Sequence, residues 1–362
     1  MRDDPAADPL LIPDEYADDL RAVRDVYDAV ERTHPGLGKL MVAVLLHDHA
    51  DMALFIVGLA GSGKSKVTDA LLHANWRRGV QMRDLTKASL AKWGDDLQNF
   101  NGTIVIDDLA RTDSEYIMQQ TYKTLIELCF NHGTDKATFH YRIQITNFYA
   151  AVIMNCQPVI FRRIIGAQDW DAFIRDRAAR FYHIIRPIKE NPDDIQLPQL
   201  SILRKDDVKL NVDAIDPRVG AEAAARLSWQ FSRGRAKLHL IALLKASAAL
   251  NNRTETTTAD AWLIREIYSR GVLEHLLTSA AELEGRRRFN SNLYALISEF
   301  ATLRRPITVK ELAERFGYST RTIYNIARRL RRWVVTDGQE PSLVPTQELV
   351  DLMREAGVAW QG

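Results

Sequence analysis

Apolar residues recur at helical spacing from about Pro13 to Thr33, placing Leu20, Val23, Val26, Tyr27 and Val30 on one face. His34-Pro35-Gly36 breaks the pattern, and Lys39 to Leu46 predicts a second helix. The run Leu54 to Val57 has the length of a buried strand, and a glycine-rich loop and a helix from Lys64 to about Asn75 follow it. A second buried-strand run, Gly102 to Ile106, ends in Asp107 and Asp108, and a third, Ala150 to Met154, ends at Asn155. Ahead of Asn155, period-two stretches between Lys136 and Phe148 predict a strand or hairpin. A cation-bearing helix end near Arg177 leads into another strand through Phe181, before Pro187, Pro192 and Pro198 mark a linker.

Beyond the linker the period is helical. Helices from about Ala221 to Phe231, Arg235 to Leu250 and Thr258 to Ser269 make an all-α block. Pro306 to Phe316 opens with Thr308 and Glu311 at capping-box spacing and buries Val309, Leu312, Ala313 and Phe316. After a turn at Gly317-Tyr318, Ser319 to Leu330 predicts a helix with Ile323, Ile326 and Leu330 inward. Its outward face carries Arg321, Thr322, Asn325, Arg328 and Arg329. Trp333 to Val335 and Ser342 to Pro345, on either side of Asp337-Gly338, supply two short wing strands. This is a winged helix-turn-helix layout, with the second helix available for a DNA major groove. Many such domains contact protein instead.

Composition narrows the class. The chain has 362 residues, 46% of them apolar, enough for roughly two or three globular domains. It contains no uncharged apolar run of about 18 residues, and its Met1-Arg2-Asp3-Asp4-Pro5 start lacks the apolar region of a signal peptide. A cytoplasmic location without a membrane partner is the expectation. Cys129 and Cys156 are the only cysteines, which argues against a disulfide framework and a thiolate zinc site. His47-Asp48-His49 has metal-like letters but reads as a turn before a strand.

The net charge of +1 conceals an asymmetry. Residues 1–20 carry Asp3, Asp4, Asp8, Asp14, Glu15, Asp18 and Asp19 against Arg2. From Arg286 to Trp333 there are twelve Lys/Arg against three Asp/Glu, a net of +9. That is the electrostatic footprint of a nucleic-acid-binding module, although a solvated basic face has the same letters.

The sharpest chemistry lies between the first strand and its helix. Gly58 to Ser65 reads G-x-x-x-x-G-K-S, with strand before and helix after, which is the phosphate-binding loop in the context its mechanism requires. Gly58, Ala60, Gly61, Ser62, Gly63, Lys64, Ser65 and Lys66 are the candidate nucleotide contacts. ATP and Mg²⁺ are the expected cofactors. In such sites the first acid at a neighbouring strand tip holds Mg²⁺ with the loop hydroxyl, so Ser65 and Asp107 are the candidate metal ligands. The second acid, Asp108, can polarise the attacking water. Asn155 would face the γ-phosphate if the sheet is parallel, or it is simply a turn residue ahead of Gln157-Pro158.

The order of these parts resembles an AAA+ ATPase. The fold class expected is α/β, an AAA+ P-loop NTPase core with a parallel sheet, an all-α lid and a C-terminal winged helix-turn-helix domain. The boundaries expected are an acidic N-terminal extension over 1–35, the ATPase core over 36–190, the lid over 191–284 and the winged helix over 285–362. Within AAA+ proteins the chain is most similar to archaeal minichromosome-maintenance-type (MCM-like) motors, over about residues 36–335. Met41 to Leu46, Arg180-Phe181 and Arg235 with Leu240, Ile241, Leu243, Ala246 and Ala248 carry that likeness.

By position, the resemblance implies Lys64 on the β- and γ-phosphates and Asn155 as sensor 1. It implies Arg180 as a finger inserted into a neighbouring subunit, with Arg177 the adjacent candidate, and Arg235 as sensor 2. The chain departs from the family where Asp108 replaces the motor's Glu, which implies slow hydrolysis. It departs again in the short stretch after the loop helix and in the short segment before the core, which has no room for a zinc-containing oligonucleotide-binding domain. The stretch between Lys136 and Phe148 is then the candidate pore loop, with Lys136 and Arg142 on phosphates.

The leading expectation is an ATP-driven DNA helicase or translocase acting in replication, a homo-oligomer in a hexameric ring. An ATP-switched initiator or helicase loader that binds DNA without unwinding is the first alternative. A signalling or defence ATPase with a protein-binding winged helix is the second.

Overall fold

The computed structural model describes residues 10–82, 93–107, 115–137, 142–167, 170, 174–186, 191–280, 287–338, 341–358 and 360. Five strands form a parallel sheet: β1 (Ala53–Gly58), β2 (Arg78–Met82), β3 (Asn101–Ile106), β6 (Tyr149–Cys156) and β7 (Ala178–His183), in the order β2-β3-β6-β1-β7. Parallel strands need long crossovers and both faces covered, which explains their continuous apolar runs. Alternation splits each run between two cores. Phe55, Val57, Ile104, Val152 and Met154 face one, while Leu54, Ile56, Val105, Ile153 and Phe181 face the other.

The first face is covered by α4 (Glu115–Asn131) and α5 (Pro158–Ile165). The second is covered by α1 (Arg21–Thr33), α2 (Gly38–His49) and α3 (Lys64–His73), joined there by α6 (Pro217–Ser228), α7 (Arg233–Leu250) and α8 (Thr258–Ile267). The helical block and the N-terminal segment are thus parts of one core. Asp19 ties them directly, its carboxylate accepting from the Thr257 hydroxyl at 2.6 Å. Glu31 fixes the α1–α2 turn by accepting from the backbone N–H groups of Gly36 and Gly38.

His47 and His49 lie buried in the last turn of α2, and not in a turn between that helix and the strand as their letters suggested. Their Nδ1 atoms contact the carbonyl oxygens of Ala43 and Leu45 one turn back, and Tyr268 meets His47 Nε2 at 2.7 Å.

The inserted hairpin is present as β4 (Thr134–Ala137) antiparallel to β5 (Arg142–Ile145). It leaves the sheet at the edge where the strands begin, just ahead of β6. A second hairpin, β8 (Thr278–Ala280) with β9 (Arg287–Phe289), follows α9 (Val272–Leu277).

The C-terminal part comprises α10 (Ser291–Leu303), β10 (Ile307–Thr308), α11 (Val309–Phe316), α12 (Thr320–Arg329), β11 (Val334–Asp337), β12 (Ser342–Pro345) and α13 (Gln347–Glu355). Its strands form an antiparallel sheet in the order β10-β12-β11. Thr308 and Ser319 cap α11 and α12, accepting from Glu311 and Thr322 N–H, and Gly317 takes the left-handed φ of +66° that the tight turn between them requires. Phe300, Leu312, Ile323 and Leu343 bury into the same core as the first face of the parallel sheet, so this part is docked on the sheet.

Candidate nucleotide site

The loop from Gly58 to Ser65 connects the C-terminal end of β1 to the N-terminus of α3, where helix backbone N–H groups favour an anion. Gly61 and Gly63 adopt φ of +68° and +85°, a region costly for side-chain-bearing residues. At Gly58 a Cβ would meet Ser62 Oγ at 2.9 Å and the His183 carbonyl at 3.2 Å. His183 holds the loop from the side, its Nε2 donating to the Ser62 carbonyl at 2.8 Å. Lys64 folds back over the loop and donates to the Gly58 and Leu59 carbonyls, both at 2.8 Å.

Three side chains from three elements converge beside it. Ser65 Oγ donates to Asp107 Oδ1 at 2.8 Å, and Asn155 Nδ2 donates to the same oxygen at 2.9 Å. Asn155 Nδ2 also lies 3.1 Å from Thr68 Oγ1 on α3. Because a carboxylate oxygen only accepts, this fixes the amide orientation and turns Asn155 Oδ1 the other way, buried and without a hydrogen-bond partner. The sheet order produces the cluster: β6 lies between β1 and β3, so its tip stands between loop and acid.

The donor set fits Mg²⁺. Ser65 and Asp107 are hard oxygen donors at the mouth of the loop, and Mg²⁺ typically takes only one or two protein oxygens, with water and phosphate completing its shell. On α3, Asp69 has its carboxyl held above the usual range by burial, with the Asp107 charge adding to it.

No family model matches the chain, and no curated protein matches it. Among solved structures, one from Cytophaga hutchinsonii described as a "putative ATPase" is similar at 14% identity and a TM-score of 0.40, covering 87% of this chain and 96% of its own.

The other expected site residues lie elsewhere. Arg180 is not at the surface, where a finger for another subunit would have to stand. Its guanidinium is buried on β7, paired with Glu274 at 3.2 Å and flanked by the rings of Trp170 and Phe231. The backbone alternation of β7 turns it into the protein, and Gln230 closes over it from the helical block. Arg235 is not at the nucleotide site. It stacks over Phe130 at 4.4 Å, with Arg177 on the same ring at 5.0 Å. Phe130 lies in the last turn of α4 beside Cys129, whose Sγ contacts the Asp51 carbonyl just ahead of β1. This is the edge where the strands begin, and the six residues of β1 separate it from the loop by roughly 20 Å. The two arginines crowd each other, and burial with the Arg235 charge lowers the Arg177 pKa.

Asp108 lies outside the described residues, as do the side chains of Lys136 and Arg142. Arg321, Thr322, Asn325, Arg328 and Arg329 are all exposed on one side of α12, with Tyr324 among them, while Ile323, Ile326 and Ala327 are buried. Sequence reasoning missed Thr68, His183, Tyr294 and Arg186 around the loop. Thr68 is one helical turn past Lys64 and could have been found by spacing. The others arrive from distant segments.

Proposed function

We propose that this chain binds and hydrolyses ATP at the Gly58–Ser65 loop and acts on DNA through its C-terminal helix-turn-helix. The convergence of Ser65, Asp107 and Asn155 beside Lys64 carries the first half. On ATP binding Lys64 would turn to phosphate oxygens, making charge-assisted contacts stronger than those to the loop carbonyls. Asn155 Oδ1, buried without a partner, would accept from a water admitted with the nucleotide and orient it for in-line attack. Mg²⁺ held by Ser65 and Asp107 would neutralise phosphate charge. Asp108, next in sequence to Asp107, is the candidate that polarises the water.

The exposed Arg321, Thr322, Asn325, Arg328 and Arg329 support a winged-helix reading of the C-terminal part, with α12 entering a DNA groove. The MCM-like reading of a hexameric helicase or translocase in replication needs a cation supplied across a subunit interface. With Arg180 internal, Arg177 beside Arg235 is the candidate for that role. The docking of the C-terminal part, through α10, on the strand ends that flank the loop favours the second reading, an ATP-switched initiator or loader. There Tyr294 Oη lies 2.8 Å from both the Val57 and the His183 carbonyls.

Phosphate release by the purified full-length protein, with and without forked DNA, tests the reading. Turnover abolished in Lys64→Ala supports ATP hydrolysis, and strand separation decides between motor and loader. Turnover equal in wild type and Lys64→Ala would sink the proposal.

A further inference from the structure

β7 ends level with the loop, His183 opposite Gly58, so the residues after it run alongside the candidate phosphate site. Ile184 and Ile185 are buried, and the Arg186 guanidinium reaches the loop at Ala60. Its Nη2 lies 3.4 Å from the Ala60 carbonyl, a long and weak contact, and its Nη1 donates to Glu299 Oε1 at 2.8 Å. Glu299 is fully buried on α10, and its other oxygen accepts from Arg315 Nε on α11 at 2.6 Å. One carboxylate thus joins a cation at the loop to a cation on the first helix of the helix-turn-helix. The backbone around Arg186 is fixed to α10 as well: Arg186 N–H donates to Thr302 Oγ1 at 3.1 Å and Ser298 Oγ donates to the Ile184 carbonyl at 2.7 Å.

Arg186 and Lys64 thus both reach backbone carbonyls of one loop, Arg186 by the edge of its guanidinium that Glu299 does not hold. The Arg186 side chain is 30% exposed there, so it can move without breaking the core. A guanidinium has five donors in a fixed fork, enough to keep Glu299 on one edge and take anionic oxygens on the other. Anionic phosphate oxygens outcompete a carbonyl at 3.4 Å for those donors.

We propose that Arg186 is a phosphate ligand of the nucleotide bound in its own chain, and that Glu299, shared with Arg315, couples its position to the helix-turn-helix. The proposal rests on the ATP-binding reading above. It gives the C-terminal part a direct contact with nucleotide occupancy, because a guanidinium drawn towards phosphate shifts the carboxylate that Arg315 also holds. It also supplies at the loop the cation that Arg235 does not.

The test is titration of the full-length protein with a fluorescent ATP analogue. Arg186→Ala should weaken binding about tenfold, the usual worth of one charge-assisted contact, with Arg186→Lys in between. Arg315→Ala should shift the affinity about threefold in the wild-type background and leave it unchanged when Arg186 is already Ala, since the two act through one carboxylate. Wild-type affinity in Arg186→Ala overturns the phosphate contact, and additive effects of the two substitutions overturn the coupling. If Arg186→Ala melts early, Arg186→Lys and Arg186→Gln carry the comparison. Failure of the underlying reading looks different: wild type and Lys64→Ala would bind the analogue equally poorly.

Discussion

Asn155 donates its amide to Asp107 Oδ1 at 2.9 Å and leaves its own carbonyl oxygen buried and unpartnered. A buried acceptor left open carries a desolvation cost of about 1–3 kcal/mol, which a bound water would relieve. Asn155→Ala should therefore lower ATP turnover about 100-fold, in the range expected for removing a water-positioning group. Nucleotide affinity should stay within about threefold, because the groups Asn155 would hold are Asp107 and the attacking water, not the nucleotide itself. Phosphate release and analogue titration read the two effects separately, and a variant that turns over normally would remove Asn155 from the mechanism.

Arg180 and Glu274 form an internal pair, with Tyr182 Oη donating to Glu274 at 2.5 Å. Burial, together with the Glu274 charge, pushes the Tyr182 hydroxyl pKa well up, so it remains a donor. Arg180→Ala leaves Glu274 without its cation in the core and should destabilise the fold by about 3–5 kcal/mol. Thermal melts check this. Mixing Arg177→Ala with Lys64→Ala subunits should restore part of the missing hydrolysis if an interface site exists, whereas Arg180→Ala should act as a folding defect in every mixture.

His47 is buried and its pKa is lowered to about 4, chiefly by desolvation. His49 and His239 are lowered for the same reason. The unfolded chain takes up protons near pH 6.5 that the folded chain refuses, so stability is full above that pH and falls as pH drops towards 4. His47 alone contributes a loss of about 3 kcal/mol over that window. Urea melts at pH 7 and pH 5 should show it, and His47→Gln should flatten the dependence. An unchanged slope in that variant would exclude His47 as the source.

On α12, replacing Arg321, Arg328 and Arg329 with Ala should weaken DNA binding and reduce the salt dependence by about 0.9 in log–log slope for each phosphate no longer neutralised. Asn325→Ala should instead alter preference among sequences while leaving that slope intact. Fluorescence anisotropy across a salt series measures both. Affinity unmoved by the triple substitution would point to a protein partner for this face.

The elements legible in advance were those whose signal is local. Runs such as Leu54 to Val57 and Ala150 to Met154 were long and apolar enough to read as buried strands. β2 escaped because Arg78–Met82 is mostly exposed at the sheet edge and lacks that signature. α10 escaped because it is apolar nearly all round, with a fully buried Tyr294 and Glu299, and so shows no clear amphipathic stripe.

The phosphate loop, the acid at the tip of β3 and the Asn at the tip of β6 could be named from their letters, because backbone geometry and strand ends impose those residue types locally. The arginines could not. A guanidinium reaches several ångströms from its backbone, and its partner depends on which distant segment packs opposite. Strand alternation and the helical block buried Arg180, the start of α7 carried Arg235 to the far edge of the sheet, and α10 brought Glu299 against Arg186 beside the loop.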